Sequence, residues 1–386
     1  MRFPSAEFQR RSEKVRAAMV KRDLDLLLVF SSPGSMRHGQ RGHVMYLSGY
    51  EPYFGDTMCI LPLEKDIEPL LQIDHADFFP EECTWIKNTT GAQDFIKTVK
   101  TYLRDSRISK ARIGLVGEYS IGANLLDRLR KGFKGNLAFA SDILENERAV
   151  KSEYEIECIR TAANIAHVGF EAAAALVRPG ITEAEITALV ETACRMMGSE
   201  GFPHHTMVSS GTFEKHLDWW WYCGGRTMRK GDPWNLDLGT MFGGYCCDIA
   251  RSFCLGKPTP KHEKAYGVLV DAMERAQKEM RPGVKASKIN EIVDEVMKKS
   301  FDGDFSGIGH GVGLEVHEWP FVGYQYIKND PIYRDSKLKE NSVISIEPQI
   351  FLPEYGYIQI EDEFVVTKKG GRRISEIPME LMGSDR

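Results

Sequence analysis

The chain has 386 residues, 42% of them hydrophobic and 27% charged, with a formal net charge of -5. That length favours two domains over one core, and the composition is that of a folded chain, not a disordered one. The acidic balance and the lack of a Lys/Arg run exclude the electrostatic footprint of a nucleic-acid binder.

The N-terminal stretch MRFPSAEFQRRSEKVRAAMVKRDLD carries charges throughout, and no segment approaches the roughly 18 apolar residues that would cross a bilayer. No membrane partner is expected. The eight cysteines form no CxxC pair. They read as reduced thiols of a cytoplasmic protein.

Up to residue 147 short apolar runs, LDLLLVF (24–30), TMCILPL (57–63) and ARIGLVG (111–117), alternate with amphipathic stretches around 6–21 and 91–104. This predicts an α/β domain over 1–147. From 148 to 386 the character changes, beginning with a long helical pattern, KSEYEIECIRTAANIAHVGFEAAAALV (151–177). An echo follows within this second part. Arg178-Pro179-Gly180 recurs as Arg281-Pro282-Gly283, each between helical patterns, and Ile186 and Val190 match Ile289 and Val293. Thr182 and Glu185 have the spacing of a capping box at the first of these helix starts. The repeat predicts two pseudo-symmetric α/β halves that meet at a site.

In the first half, HLDWWWYCGGR (216–226) sets Trp219, Trp220 and Trp221 side by side. Successive side chains diverge, so three indoles cannot all enter one core. At least one should line a pocket, a surface or an interface. Then NLDLGTMFGGYCCDIARSF (235–253) reads as a hairpin. With its register centred between Phe242 and Gly243, Asp237 falls directly opposite Asp248, with Cβ atoms about 4.5–5.5 Å apart. A shared proton, Arg251 or a divalent cation would offset the repulsion; a different register with both aspartates solvated would avoid it.

In the second half GIGHGVGLEVHEWP (307–320) packs four glycines with His310 and His317 and flanks His310 with glycine on both sides, as a segment does where backbone closely approaches something. NSVISIEPQIFLPEYGYIQIEDEFVVT (341–367) reads as two strands, with Glu347 and Glu361 set in apolar sequence. Such carboxylates are costly unless paired or metal-bound. Asp362 and Glu363 read as solvated. Two Asp, one His and two Glu suit a pair of Mn²⁺, Co²⁺, Fe²⁺ or Zn²⁺ ions better than a thiolate zinc site. Two such ions support metal-assisted hydrolysis.

The motifs ERAVKSEYEIECIRTAANIA, DLGTMFGGYCCDIARSF, GHGVGLEVHE, SIEP and IQIEDEFVVT, in that order, resemble the creatinase/prolidase/aminopeptidase P family of pita-bread metallohydrolases. The resemblance covers essentially the whole chain. It implies a creatinase-like N-terminal domain before a pita-bread catalytic domain, with Asp237, Asp248, His310, Glu347 and Glu361 as ligands of two metal ions. Glu347 would also move the proton of the attacking water, and His317 would stabilise the tetrahedral intermediate. Family members are commonly homodimers.

Two positions depart from the family pattern. Trp220 stands where proline peptidases have a substrate-binding histidine, with His216 four residues too early, and Gln359 replaces the arginine of the last motif. Trp220, Trp221, His216, Arg226 and Gln359 are therefore the substrate-contact candidates, with packing at an interface as the alternative for the tryptophans. His204 and His205 fall in a loop that leads into the family's pocket, and they are expected to be solvated unless they touch substrate.

The expected activity is cleavage of the amide bond of an Xaa-Pro peptide. YCGGR and the segment after His310 also resemble the dimethylsulfoniopropionate lyase branch, whose substrate is a small zwitterion. Aromatic faces would suit such a cation. A binding protein without catalysis ranks last, because all five ligand positions are filled.

Overall fold

A computed structural model describes residues 3–34, 40–73, 83–91, 94–212, 224–302, 305–323, 334–352 and 355–383. Contacts divide the chain into two compact units, residues 1–148 and 149–386. None of the described helices is long and apolar enough to cross a membrane.

The first unit is a mixed six-stranded sheet with helices. Its elements are α1 (Ser5–Lys21), β1 (Leu26–Ser31), α2 (Gly42–Ser48), β2 (Thr57–Pro62), β3 (Leu70–Ile73), β4 (Asn88–Gly91), α3 (Phe95–Asp105), β5 (Ile113–Val116), α4 (Ala123–Gly132), β6 (Leu137–Phe139) and α5 (Ser141–Arg148). The sheet order is β4-β3-β2-β1-β5-β6, with β1 antiparallel to β2 and parallel to β5. The three apolar runs of the sequence became β1, β2 and β5, and every residue of each strand is buried. Continuous burial explains why they lack the alternation of a half-exposed strand.

The second unit opens with α6 (Glu153–Leu176) and α7 (Glu183–Met196), then β7 (Met207–Ser210), β8 (Pro233–Leu238), β9 (Met241–Phe242), β10 (Tyr245–Cys246) and β11 (Ile249–Cys254). Both helices start with capping boxes, Ser152 with Glu155 and Thr182 with Glu185. The second half repeats this order with α8 (Pro260–Glu279), α9 (Ala286–Lys298), β12 (Phe305–Gly311), β13 (Glu318–Val322), β14 (Val343–Leu352), β15 (Gly356–Gln359), β16 (Asp362–Thr367) and β17 (Gly370–Arg373); β18 (Met382–Gly383) returns to β11.

The duplication extends to single hydrogen bonds. Gly180 N donates to Met228 O, and Gly283 N donates to Leu338 O. Thr182 bridges Thr227, as Lys285 bridges Lys337. In each half an antiparallel trio forms the sheet, β7-β8-β11 in one and β12-β14-β16 in the other. Met228, Gly231 and Asp237 thus correspond at constant spacing to Leu338, Asn341 and Glu347. Gly231 and Asn341 both adopt positive φ, 92° and 66°.

The two trios meet at one bridge. Glu361 N donates to Ala250 O at 3.0 Å, and Gln359 N donates to Ser252 Oγ at 2.9 Å. Behind the second trio, Leu269, Met273, Ile289 and Val293 of α8 and α9 pack with Ile344, Ile346 and Phe364. This core fixes the sheet from which the polar residues of β14 and β15 project.

Three expectations need correction. The hairpin turns on Gly243 and Gly244, both at positive φ as a two-residue primed turn requires, so Asp237 faces Ala250 and lies diagonal to Asp248. The register differs by two residues, which keeps both aspartates on one face. Arg251 does not neutralise them: its fully buried guanidinium donates to Asp362 Oδ2 at 2.7 Å and to the carbonyls of Glu361, Ile377 and Pro378. Asp362 and Glu363 are accordingly buried, not solvated, and Glu363 Oε1 accepts the Asp248 backbone N–H at 2.9 Å.

Removing one partner of a buried ion pair strands the other charge, at a cost of about 3–5 kcal/mol. Arg251→Met should therefore lower the unfolding midpoint of residues 149–386 substantially in a thermal or denaturant melt. An unchanged midpoint would show that Arg373, 3.5 Å from Asp362, suffices.

Candidate metal centre

Each element that meets at the seam brings one acidic or imidazole side chain to it. Asp237 is the penultimate residue of β8, Asp248 immediately precedes β11, Glu347 is central in β14, and Glu361 immediately precedes β16. By the internal repeat, Asp237 corresponds to Glu347 and Asp248 to Glu361. His310 comes from β12, whose glycines permit the close strand packing that the sequence suggested. A Cβ on Gly309 would lie 2.3 Å from the Ser345 carbonyl oxygen, and one on Gly311 would lie 2.7 Å from that of Trp319.

All five predicted ligands converge. His310 Nε2 is 3.6 Å from Glu347 Oε1, 3.6 Å from Glu361 Oε1 and 3.7 Å from Asp248 Oδ2. His317 Nε2 is 3.8 Å from Asp248 Oδ2, and its ring stands edge-on to His310 with centroids 4.1 Å apart. These separations are too long for hydrogen bonds. They match donor atoms that share an ion at about 2.0–2.2 Å, which lie on the order of 3–4 Å apart.

The residues present fit such a group on a second ground. Asp237 Oδ1 and His310 Nε2 are buried and have no hydrogen-bond partner among the described residues. Buried polar atoms are rarely left unpaired, and two aimed into one acidic cluster call for a cation.

The electrostatics agree. Burial, then the charges of Glu361 and Asp248, push Asp237 well above the ordinary aspartate range. Burial and the same two neighbours, with Asp237, do likewise for Glu347; burial and Asp248 raise Glu361. Asp248 moves the other way, because His204 above all, with His310 and His317, outweighs its burial.

Side chains around the ligands hold them in place. Ser345 Oγ donates to Glu361 Oε1 at 2.8 Å. Gln359 Nε2 reaches Glu347 Oε2 and Glu361 Oε2, both at 3.4 Å, and its Oε1 lies 2.6 Å from the Tyr357 hydroxyl. Gln359 thus faces the ligand carboxylates from the position where the family pattern has arginine. The sequence reading missed Ser345, Tyr357 and Glu363. A signal for the first two existed: Ser345, Glu347 and Gln349 alternate with apolar residues in β14, as Tyr357, Gln359 and Glu361 do through β15.

His204 departs most from expectation. It is buried, not solvated, with Nε2 3.1 Å from Asp248 Oδ1. Of the substrate-contact candidates, Arg226 pairs with Asp232 at 2.7 Å and with Ser210 Oγ at 2.5 Å. Trp220, Trp221 and His216 lie outside the described residues.

Comparison with known proteins places this geometry. Residues 157–368 match metallopeptidase family M24, and residues 11–150 match the creatinase/prolidase N-terminal domain. An Xaa-Pro dipeptidase of Pyrococcus horikoshii is 28% identical over 373 residues, which cover 96% of this chain and 98% of the relative. An Xaa-Pro dipeptidase of Pyrococcus furiosus is 32% identical over 243 residues, covering 62% and 67%. The crystal structure of an X-Pro aminopeptidase from Thermotoga maritima superposes with a TM-score of 0.80 at 27% identity, covering 96% of this chain and 99% of that one. With its seam of converging carboxylates and imidazoles, the chain belongs to metallopeptidase family M24.

Proposed function

We propose that this protein is a metal-dependent dipeptidase with a two-ion centre, which cleaves the amide bond before proline in Xaa-Pro dipeptides. The observation that carries the reading is the convergence of Asp237, Asp248, His310, Glu347 and Glu361 on one buried point, with donor atoms of Asp237 and His310 left without partners. The near full-length likeness to a relative named Xaa-Pro dipeptidase supports the substrate class.

When bound, two divalent ions such as Mn²⁺, Co²⁺, Fe²⁺ or Zn²⁺ would polarise the carbonyl and make water a nucleophile near neutral pH. Asp237, Asp248, His310, Glu347 and Glu361 would hold the ions. Glu347 is also placed for proton transfer, because its carboxylate lies within the cluster, with Oε1 3.6 Å from His310 Nε2. His317, partly exposed at the edge of the cluster, can donate from Nε2 to the oxyanion that develops on the attacked carbonyl. Gln359 keeps the carboxylates of Glu347 and Glu361 oriented.

Substrate contact by Trp220, at the sequence position of the family's substrate-binding histidine, and by its neighbours Trp221 and His216 is part of the same proposal, as is a homodimer through the family resemblance. The zwitterion alternative rests on tryptophans outside the described residues, so the peptidase reading takes precedence.

Two expectations follow from this assignment. Asp248→Ala and Glu347→Ala should abolish both metal uptake and Xaa-Pro cleavage, whereas His317→Ala should keep its metal and lose about 10²–10³ in kcat. Metal analysis alongside dipeptide hydrolysis checks this, and full activity of a metal-free Asp248→Ala protein would overturn the reading.

The second concerns pH. Asp237, Glu347 and Glu361 are raised in the folded, metal-free protein, so they favour folding while protonated. That contribution is lost as pH rises from the ordinary carboxylate range through their raised values. Metal uptake must expel those protons. Calorimetry in buffers of different ionisation enthalpy should therefore show net proton release, and the metal-induced rise in Tm should be larger at about pH 8 than at about pH 6. A pH-independent rise without proton release would contradict the proposed ligand set.

A further inference from the structure

We infer that His204 supplies a sixth protein ligand to the metal centre, binding through Nε2 beside Asp237 and Asp248. The inference rests on the metal-centre reading above and adds to it a residue from the segment ahead of β7.

The tautomer carries the argument. His204 Nδ1 lies 2.8 Å from the His205 carbonyl oxygen, an acceptor only, so Nδ1 carries the hydrogen and donates it. In the neutral ring Nε2 then holds a lone pair. That nitrogen lies 3.1 Å from Asp248 Oδ1 and 3.8 Å from Asp237 Oδ1, so in the metal-free protein it can hold a proton against Asp248 that an ion would displace. A lone pair facing two carboxylate oxygens inside a protein is repulsive, so Nε2 must carry either a proton or an ion at this place. A metal-ligating histidine typically donates its other ring nitrogen to a backbone carbonyl, which is the arrangement found here.

The slot for the ring is built. Gly239 lies two residues beyond Asp237, and a Cβ there would come within 2.7 Å of His204 Nε2 and 2.7 Å of Pro203 Cγ. Only glycine leaves room for the imidazole at this place. Asp237 Oδ1, without a hydrogen-bond partner, is one of the two oxygens that His204 faces.

The internal repeat shows what His204 replaces. In the second half His310 pairs with Ser345 across β12 and β14; at the corresponding place in the first half Ser209 pairs with Asn235. The first half has therefore copied the carboxylates but not the imidazole. His204, three residues before β7, restores a nitrogen donor to that side of the centre. Two imidazoles among the ligands would favour Zn²⁺ or Fe²⁺ over Mn²⁺ relative to a site with one.

The competing arrangement is a proton on Nε2, which makes His204 a charged partner of Asp248 and no ligand. Titration of the metal-free protein with Co²⁺, followed by visible absorption, separates the two for wild type and His204→Gln. A ligand role predicts a changed Co²⁺ spectrum and an affinity about 10- to 100-fold weaker at one of the ions. An identical spectrum and affinity would overturn it.

X-ray absorption of the Zn²⁺-loaded His317→Ala protein gives a second reading that does not depend on a His204 variant folding. Two imidazoles per pair of ions support the inference, and one refutes it. Wild type that takes up neither Co²⁺ nor Zn²⁺ would instead remove the metal-centre reading, and this inference with it.

Discussion

Four carboxylates, those of Asp237, Asp248, Glu347 and Glu361, are held together where the two halves of the second unit join; three are buried and Glu347 is mostly so. Two like charges about 4 Å apart repel by on the order of 4 kcal/mol at an effective dielectric of about 20, before desolvation is added. The fold can hold such a cluster only because rigid elements on every side oppose its expansion and because cations can occupy its centre. The raised values of three of these acids express that tension. Strands β8, β11 and β14 position the acids, and Ser345, Gln359 and the Asp248 backbone contact fix their orientation.

The duplication explains why the cluster is acidic from both sides. Each half contributes one carboxylate from its middle strand and one from the start of its third, so joining the halves edge to edge brings the four together. Arg251 and Asp362 belong to the same joint. Their buried pair ties β11 to β16 directly beside Asp248 and Glu361, so the arginine nearest the site in sequence serves the framework. Its hydrogen bonds to Asp362 and to the backbone carbonyls of Ala250, Glu361, Ile377 and Pro378 leave it no capacity to discharge the aspartates.

Much of this was legible in the sequence because the signals were local. The apolar runs that became β1, β2 and β5, the capping box of Thr182 and Glu185, the recurrent Pro-Gly and the glycines around His310 each have a short-range cause. Of the candidate ligands, Asp237 and Glu347 stood out as single charges within apolar strand sequence, and Glu361 as the first charge after an apolar alternation. What could not be read was pairing over distance. The hairpin register turned on which two residues take positive φ, and both Phe242-Gly243 and Gly243-Gly244 offered a glycine. Asp362 and Glu363 looked solvated because adjacent charges usually are, and only the seam puts Arg251 and the Asp248 amide against them.

His204 marks the limit of periodic reasoning most clearly. The segment FPHHTM has no alternation and no strand character, so nothing local distinguished its two histidines from a solvated loop. The repeat holds the missing information. Once β7 and β12 are superposed in register, Ser209 occupies the place of His310, and the first half lacks an imidazole that the second half has. An acidic cluster with a nitrogen donor on one side only would hold its two ions unequally. In the proposed centre an imidazole brought in from outside the repeated elements would correct this without disturbing the strand pairing that both halves share. The departure from symmetry thus lies in the part of the first half that is free to vary, while the carboxylates, fixed by the joint itself, keep their places.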